Sequence, residues 1–551
     1  MSRDAALEMW GGVECSVVRI GDETRDQLLD TGHFHRPGDL DLIAGLGIEN
    51  LRYPVLWDVV RHGSGQEDWS WPDQRLRRLL ALGIKPIAGL LHHGSGPRAD
   101  LLDPEFPQLF ADYAQAVAQR YPWIEAFTLI NEPMTTARAS GLYGLWHPHG
   151  LDEACCFRLL VAQCRAIAKA MAAIRKVSPA AQLVQTEDFG RTFATEPLHY
   201  QADYENERRW LAIDLLMGRV DRRHPFHERL AAAGVAERDL AELVCEPCPP
   251  DVIGIDYYLT SDRFLDHRVD LHPGEPIGGN GSDVYVDIAA FRSEWQDCAG
   301  VAERLEEIWH RYGLPLAVTE LHNGCTREEQ LRWLVEGWEG ARQARHAGAD
   351  VRAVTAWALF GMMDWNSLLV EHQGYYENGA FDCRSTPPRA TAIAAAIASL
   401  AKTGSFDHPS LDRAGWWRPE PRLPARTRPL LVVGAGQLME TLRECCHARR
   451  LSFLSVVAGS EAHDVLASTN AWAAIRIEFH HPSWRLTCDF AGGGHLVIQA
   501  PDCLERRHLA NAFLDLVLDG LEGTAKLTRA DAANQYEFVM LSGTYETSQW
   551  M

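Results

Sequence analysis

Residues 125–133 read EAFTLINEP, an apolar run that stops on Asn131, Glu132 and Pro133. Its length and apolar faces suit a strand buried on both sides, and its end presents an amide and a carboxylate. Seven more such runs accompany it: MWGGVEC from Met9, ENLRYPV from Glu49, IKPIAGLLH from Ile84, AQLVQTED from Ala181, DVIGIDYY from Asp251, PLAVTEL from Pro315 and AVTAWALF from Ala353. Amphipathic stretches such as FPQLFADYAQAVAQRY and ACCFRLLVAQCRAIAKAMAAIRK lie between them, with apolar residues at helical spacing. Eight strand–helix units predict a (β/α)8 (TIM) barrel, with a doubly wound parallel sheet as the competing α/β architecture.

The chain has 551 residues, 46% of them apolar, enough for more than one core. A formal charge of −22 speaks against nucleic-acid and anionic-membrane partners. No apolar run approaches the ~20 residues that span a bilayer, and the first residues lack the apolar core of a secretory signal. Thirteen cysteines, with Cys155–Cys156 and Cys445–Cys446 adjacent, do not form a disulfide framework, so a reducing cytoplasm is expected. Cys245 and Cys248 make a single C-x-x-C; without a second pair, idle thiols are the expectation over a zinc site.

In a (β/α)8 barrel, working residues sit where strands end. The runs end at Arg52, at His92–His93, at Asn131–Glu132, at Asp256–Tyr257–Tyr258, at Glu320, and beyond Trp357 at Asp364–Trp365. Two glutamates at the fourth and seventh strands fall roughly across the barrel mouth. Glycoside hydrolysis needs such a pair, one to protonate the leaving oxygen and one to attack the anomeric carbon or activate water. No tight metal-ligand spacing accompanies them.

These residues resemble glycoside hydrolase family 1, the retaining β-glucosidase and β-galactosidase family, over about residues 8–400. LINEP is similar to that family's T-x-N-E-P, with Leu129 in the threonine place, which implies Glu132 as general acid/base and Asn131 as partner of the sugar 2-hydroxyl. VTELHNG resembles I/V-T-E-N-G and implies Glu320 as nucleophile, with Leu321 and His322 inserted before Asn323. The resemblance places His92 as a sugar-binding histidine, Arg52 and Tyr258 beside the nucleophile, and Trp357, Asp364 and Trp365 around the sugar. His93 replaces a tryptophan, and Asp364 is one methylene shorter than the family's glutamate. The family's first strand ends in a sugar-binding glutamine; here Val18 falls in that place and Arg19 is the nearest polar group. A charged Arg19 favours an acidic sugar, or else pairs with Asp22. The retaining mechanism implies carboxyl groups about 5–5.5 Å apart, Glu320 ionised and Glu132 protonated before the first step.

Residues 403–429 hold five prolines and few aliphatics, marking 403–428 as a linker between a barrel of 1–402 and a smaller domain of 429–551. RPLLVVGAGQLMETLRECCHARRLSFLSVV then reads strand, glycine turn, helix, strand, the opening of a nucleotide-binding unit. This part resembles a truncated dTDP-4-dehydrorhamnose reductase of the extended short-chain dehydrogenase group, through LLVVGAGQLMETL and PDCLERRHLANAFLDLVLDGLEGTAKL. Tyr-x-x-x-Lys is absent, since Lys526 is preceded four residues earlier by Glu522. Glu440 would set negative charge where a pyrophosphate belongs. A degenerate Rossmann-like domain follows, with Gly434 and Gly436 a vestigial turn, no cofactor, and a role in packing or in forming a homo-oligomer.

Three functions remain. The first is a retaining β-glycosidase acting on a small carbohydrate substrate. The second is a barrel that binds a sugar or nucleotide-sugar without turnover, as a regulator. The third is a transglycosylase using the same residues.

Overall fold

The computed structural model describes residues 6–60, 67–97, 100–295, 299–419, 427–456, 466 and 468–527. The predicted linker's residues 420–426 lie outside the described residues. The chain divides into two compact units: one takes the chain up to His322 with Gly337–Gly374, the other Asn323–Glu336 and the chain from Tyr375 on.

In the first unit the eight apolar runs form β1 (Glu8–Gly12), β2 (Asn50–Pro54), β3 (Lys85–His92), β4 (Ala126–Asn131), β5 (Gln182–Glu187), β6 (Val252–Tyr258), β7 (Leu316–His322) and β8 (Val351–Ala356). They close a barrel in chain order, with β1 paired to both β2 and β8, all in parallel. The (β/α)8 expectation holds, and the doubly wound alternative falls because the sheet has no edge. Strands buried on both faces need apolar residues throughout, and β7 is buried along its whole length. Trp10, Ile87, Val184, Val252, Ala317 and Ala353, from six different strands, pack into one core cluster of the barrel.

Helices separate the strands: α1 (Ser70–Leu82), α2 (Phe106–Arg120), α3 (Pro133–Gly141), α4 (Glu153–Val177), α5 (Val301–Tyr312) and α6 (Arg327–His346). Pro133 at the first position of α3 supplies the fixed φ that starts a helix and no N–H to waste. Glu187, at the end of β5, accepts from the backbone N–H of Met134 at 2.7 Å and of Thr135 at 3.3 Å, which ties α3 to the barrel. Among the described residues no helix is long and apolar enough to cross a membrane.

The second unit contains α7 (Ala392–Thr403) and a six-stranded sheet. Its strands are β9 (Leu430–Val433), β10 (Phe453–Val456), β11 (Ala473–His480), β12 (Ser483–Phe490), β13 (His495–Pro501) and β14 (Gly523–Lys526), in the order β10-β9-β11-β12-β13-β14. β9 runs parallel to β10 and β11, while β11, β12 and β13 form an antiparallel meander. The strand–turn–helix–strand expected after the linker is present as β9, the Gly434–Gly436 turn, α8 (Gln437–Ala448) and β10. Both glycines have positive φ, 121° and 116°, which side-chain-bearing residues rarely adopt. α9 (Arg506–Leu518) covers the sheet, and Phe513, Leu514 and Val517 join Leu430, Val432, Ile475, Leu486 and Ile498 in its core. Arg449 is buried between Glu328 and Asp515, with its Nη2 2.7 Å from the Asp515 carboxylate. Residues ahead of β9 belong to this unit through specific bonds: Arg389 Nη1 donates to Asp519 at 2.7 Å and Ala392 N–H to the same carboxylate at 2.7 Å.

Candidate active site

The C-terminal ends of the barrel strands bring Arg52, His92, Asn131, Glu132, Tyr258, Glu320 and Trp357 together, all from the first unit. Glu320 lies on β7 beside Asp256 on β6, where the register between the two strands shifts after Val318. Such an irregularity re-aims side chains next to a site. Its Oε1 accepts from Arg52 Nη1 at 2.8 Å, and its Oε2 accepts from the Tyr258 hydroxyl. Arg52 also donates to the Thr319 carbonyl at 2.8 Å and to Asn131 Oδ1 at 2.6 Å. Asn131 Oδ1 accepts a second bond from Thr186 Oγ1 at 2.7 Å, so its Nδ2 is the donor toward His92 Nε2 at 3.1 Å. His92 therefore carries its proton on Nδ1, which faces Cys15 Sγ at 3.5 Å.

Glu132 follows β4 in a left-handed conformation, φ 43°, and α3 begins at the next residue. That conformation is costly for a residue with a Cβ and persists only where the surroundings impose it. His93 (φ 59°) and Asp364 (φ 55°) share it. His93 Nε2 lies 3.5 Å from Glu132 Oε2, and its Nδ1 meets Thr136 Oγ1 at 2.9 Å.

Burial dominates the electrostatics. It pushes the Glu132 carboxyl well above the usual range, and the charges of Asp256, Glu320, Glu187 and Asp188 push it further. Burial also raises Glu320, and Arg52, Tyr258 and Asn131 oppose that rise without cancelling it. His93 is driven to about 3 by burial and by Arg52, and His92 falls well below its usual value for the same reasons and through His93. Both imidazoles are thus neutral, which leaves Arg52 as the cation of this group.

Aromatic rings shape the rest. His92 stacks on Trp357 with centroids 5.7 Å apart and planes 11° apart, and the Arg52 guanidinium sits 4.8 Å from the Trp357 ring centroid. His93, in the tryptophan place, packs on Trp146 at 5.0 Å and edge-on to Trp365 at 5.8 Å. Gly12 makes room for Trp357: a Cβ there would stand 2.2 Å from its Cε3. Asp364 is buried and gives its Oδ2 to Arg25 Nη2 at 2.8 Å, so its charge is already matched. Leu321 and His322 do not disrupt the strand; they extend β7, and His322 Nδ1 reaches the Trp357 carbonyl at 3.0 Å.

Arg19 bonds within its own hairpin, next to Val18, which packs in one cluster with Trp146 and Trp365. It lies in the hairpin of Val17–Ile20 and Glu23–Asp26, and its Nε donates to the Gly21 carbonyl at 3.2 Å. Two carboxylates outside the sequence-derived site lie in the group instead. Glu14, just past β1 and 3% exposed, accepts from Trp357 Nε1 at 3.1 Å and from Ser16 N–H at 2.9 Å. Asp256, fully buried, accepts from Thr319 Oγ1 at 2.6 Å and lies 3.7 Å from Arg52. Glu14 was legible as the last polar residue of the MWGGVEC run, and Asp256 as the strand end of DVIGIDYY.

Residues 16–379 match the family model described as Glycosyl hydrolase family 1. Beta-glucosidase 47 of Arabidopsis thaliana is 24% identical over 430 residues, covering 70% of this chain and 77% of its own. Beta-glucosidase A of Thermotoga maritima is 27% identical over 170 residues, 29% of this chain and 37% of its own. The solved Thermotoga maritima β-glucosidase in complex with deoxynojirimycin superposes with a TM-score of 0.58 at 16% identity, over 73% of this chain and 98% of that one. At that identity the likeness is one of fold.

Proposed function

The chain belongs to glycosyl hydrolase family 1, and from that premise we propose that it is a retaining β-glycosidase working through a covalent glycosyl-enzyme on Glu320. The observation that carries this reading is the unequal treatment of its two glutamates. Glu320 has an arginine and a phenol on its two oxygens, the partners of an ionised nucleophile. Glu132 has no cation bonded to it among the described residues and is held protonated by burial, as a general acid must be. In the first half-reaction Glu132 protonates the leaving oxygen while Glu320 attacks the anomeric carbon. Esterified Glu320 carries no charge, so Glu132, having given up its proton, stays ionised and takes one from the incoming water, whose oxygen bonds to the anomeric carbon as the ester bond to Glu320 breaks.

In this reading His92, Asn131, Trp357 and Trp365 bind the sugar ring, with Asp364 held by Arg25 at the pocket wall and Arg19 at its rim. The C-terminal unit is non-catalytic. Supporting this, Arg443 Nη2 already donates to the Gly434 carbonyl at 2.7 Å and its Nη1 to Glu440 at 2.5 Å, so the glycine turn is occupied by the chain's own groups.

The test is chemical labelling. A 2-fluoro β-glycoside with an activated leaving group should leave a mass adduct on the peptide carrying Glu320, and Glu320→Gln should lose aryl glycoside turnover by several orders of magnitude. No adduct, together with near-normal turnover in the variant, rejects the assignment.

A further inference from the structure

The active-site group holds more carboxyl groups than the two-glutamate chemistry uses. Glu14, Glu132, Asp256 and Glu320 are all buried, at 3%, 6%, 0% and 2% exposure, and among the described residues the guanidinium that pairs within this set is that of Arg52, bonded to Glu320 and 3.7 Å from Asp256. Arg25 does not relieve them: its bonds go to Asp364 and to the carbonyls of Leu369 and Glu371. The histidines are neutral. Asp256 Oδ2 meets no hydrogen-bond donor among the described residues, although the residue is fully buried. A buried carboxylate oxygen without a donor is costly, and a native site that keeps one has a use for it. Glu14 has one N–H on each oxygen and lone pairs to spare.

We propose that the glycone accepted by this site carries a positively charged amino group, with Glu14 as the specificity-determining contact and the unpartnered Asp256 Oδ2 as a second acceptor. The inference rests on the glycosidase reading and names its substrate class. It reverses the sign suggested by Arg19, whose Nε is bonded to the Gly21 carbonyl of its own hairpin. Free of substrate, burial and the nearby Glu320 charge push Glu14 up to about 7, because no second cation is present to stabilise its ionised form. An ammonium group supplies that cation and makes a charge-assisted hydrogen bond where water is excluded.

The experiment compares kcat/KM at pH 7 for 4-nitrophenyl β-D-glucoside, its 2-, 3-, 4- and 6-amino-deoxy counterparts, and the N-acetylated form of whichever amine is preferred. One amino glycoside should exceed the neutral parent by about 10–100-fold, the value of one charged hydrogen bond. N-acetylation should abolish the gain, and Glu14→Gln should lower the amino-to-neutral ratio by a similar factor. If the neutral parent outruns every amine while the 2-fluoro sugar still labels Glu320, the inference falls and the glycosidase reading stands. If neither kind of glycoside turns over and Glu320 is not labelled, both fall.

Discussion

Replacing Glu14 by Gln should change how the stability of the barrel unit depends on pH. Burial and the Glu320 charge place the Glu14 carboxyl at about 7, against 4.5 for the same group in an unfolded chain. Between those values the folded state holds a proton that the unfolded state has released, so the wild-type protein loses stability as pH rises through this window. At about 1.36 kcal/mol per pH unit, the loss amounts to roughly 3 kcal/mol, absent below pH 4.5 and complete above 7. Gln cannot ionise and escapes it. The variant carries a separate, pH-independent cost: each Glu14 oxygen accepts one N–H, and an amide offers only one oxygen to Trp357 Nε1 and Ser16 N–H. That cost is ~1–3 kcal/mol and shifts the whole curve without bending it. The assay is urea unfolding of both proteins from pH 4.5 to 8. The wild-type-minus-variant difference should fall by about 3 kcal/mol across the series, with loss of Glu14's charge relieving Glu320 in the same direction. Curves that stay parallel would refute the claim that Glu14 is buried in a group short of positive charge.

Two further outcomes follow from packing. Gly12→Ala places a Cβ 2.2 Å from Trp357 Cε3, so the indole must move and release Glu14; a loss of ~1–3 kcal/mol in thermal unfolding and of about 10²-fold in aryl glycoside kcat/KM is expected. In the second unit, Arg449→Met strands the buried Glu328 and Asp515 carboxylates, a loss of ~3–5 kcal/mol that should speed amide exchange in Leu430–Val433 by about 10²–10³-fold, read by mass spectrometry.

What the sequence made legible was local, and what it hid was long-range. The eight strands declare themselves because a strand covered on both faces must be apolar along its length, and Asn131, Glu132 and Glu320 stand out as the polar ends of such runs. Glu14 belongs to the same class, yet it lies beyond the last paired residue of β1, and its orientation is set by Trp357, 343 positions away. Asp364 reads as an available acid until Arg25, 339 positions distant, takes its charge. Arg19 reads as a site residue from its offset along the chain; the structure adds that it lies in the hairpin of Val17–Ile20 and Glu23–Asp26, with its Nε on the Gly21 carbonyl. The compact units follow the same logic. Prolines suggest a boundary near 403, while bonds from Arg389 and Ala392 to Asp519 tie the preceding segment to the C-terminal sheet.

In the proposed double displacement, the acid-rich neighbourhood of Glu132 must let it act first as acid and then as base. Four carboxylates raise its pKa, and only Glu320 is consumed when the glycosyl-enzyme forms. If all four stayed ionised, removing one charge would leave Glu132 protonated and water unactivated. They do not all stay so: burial pushes Glu187 up to about 8, so near neutral pH it is largely protonated and exerts little field, and burial raises Asp256 in the same direction. Arg52 and the Tyr258 hydroxyl oppose the rise that burial imposes on Glu320. In the proposed reaction the charge lost from Glu320 is the one whose removal lets Glu132 turn from acid to base.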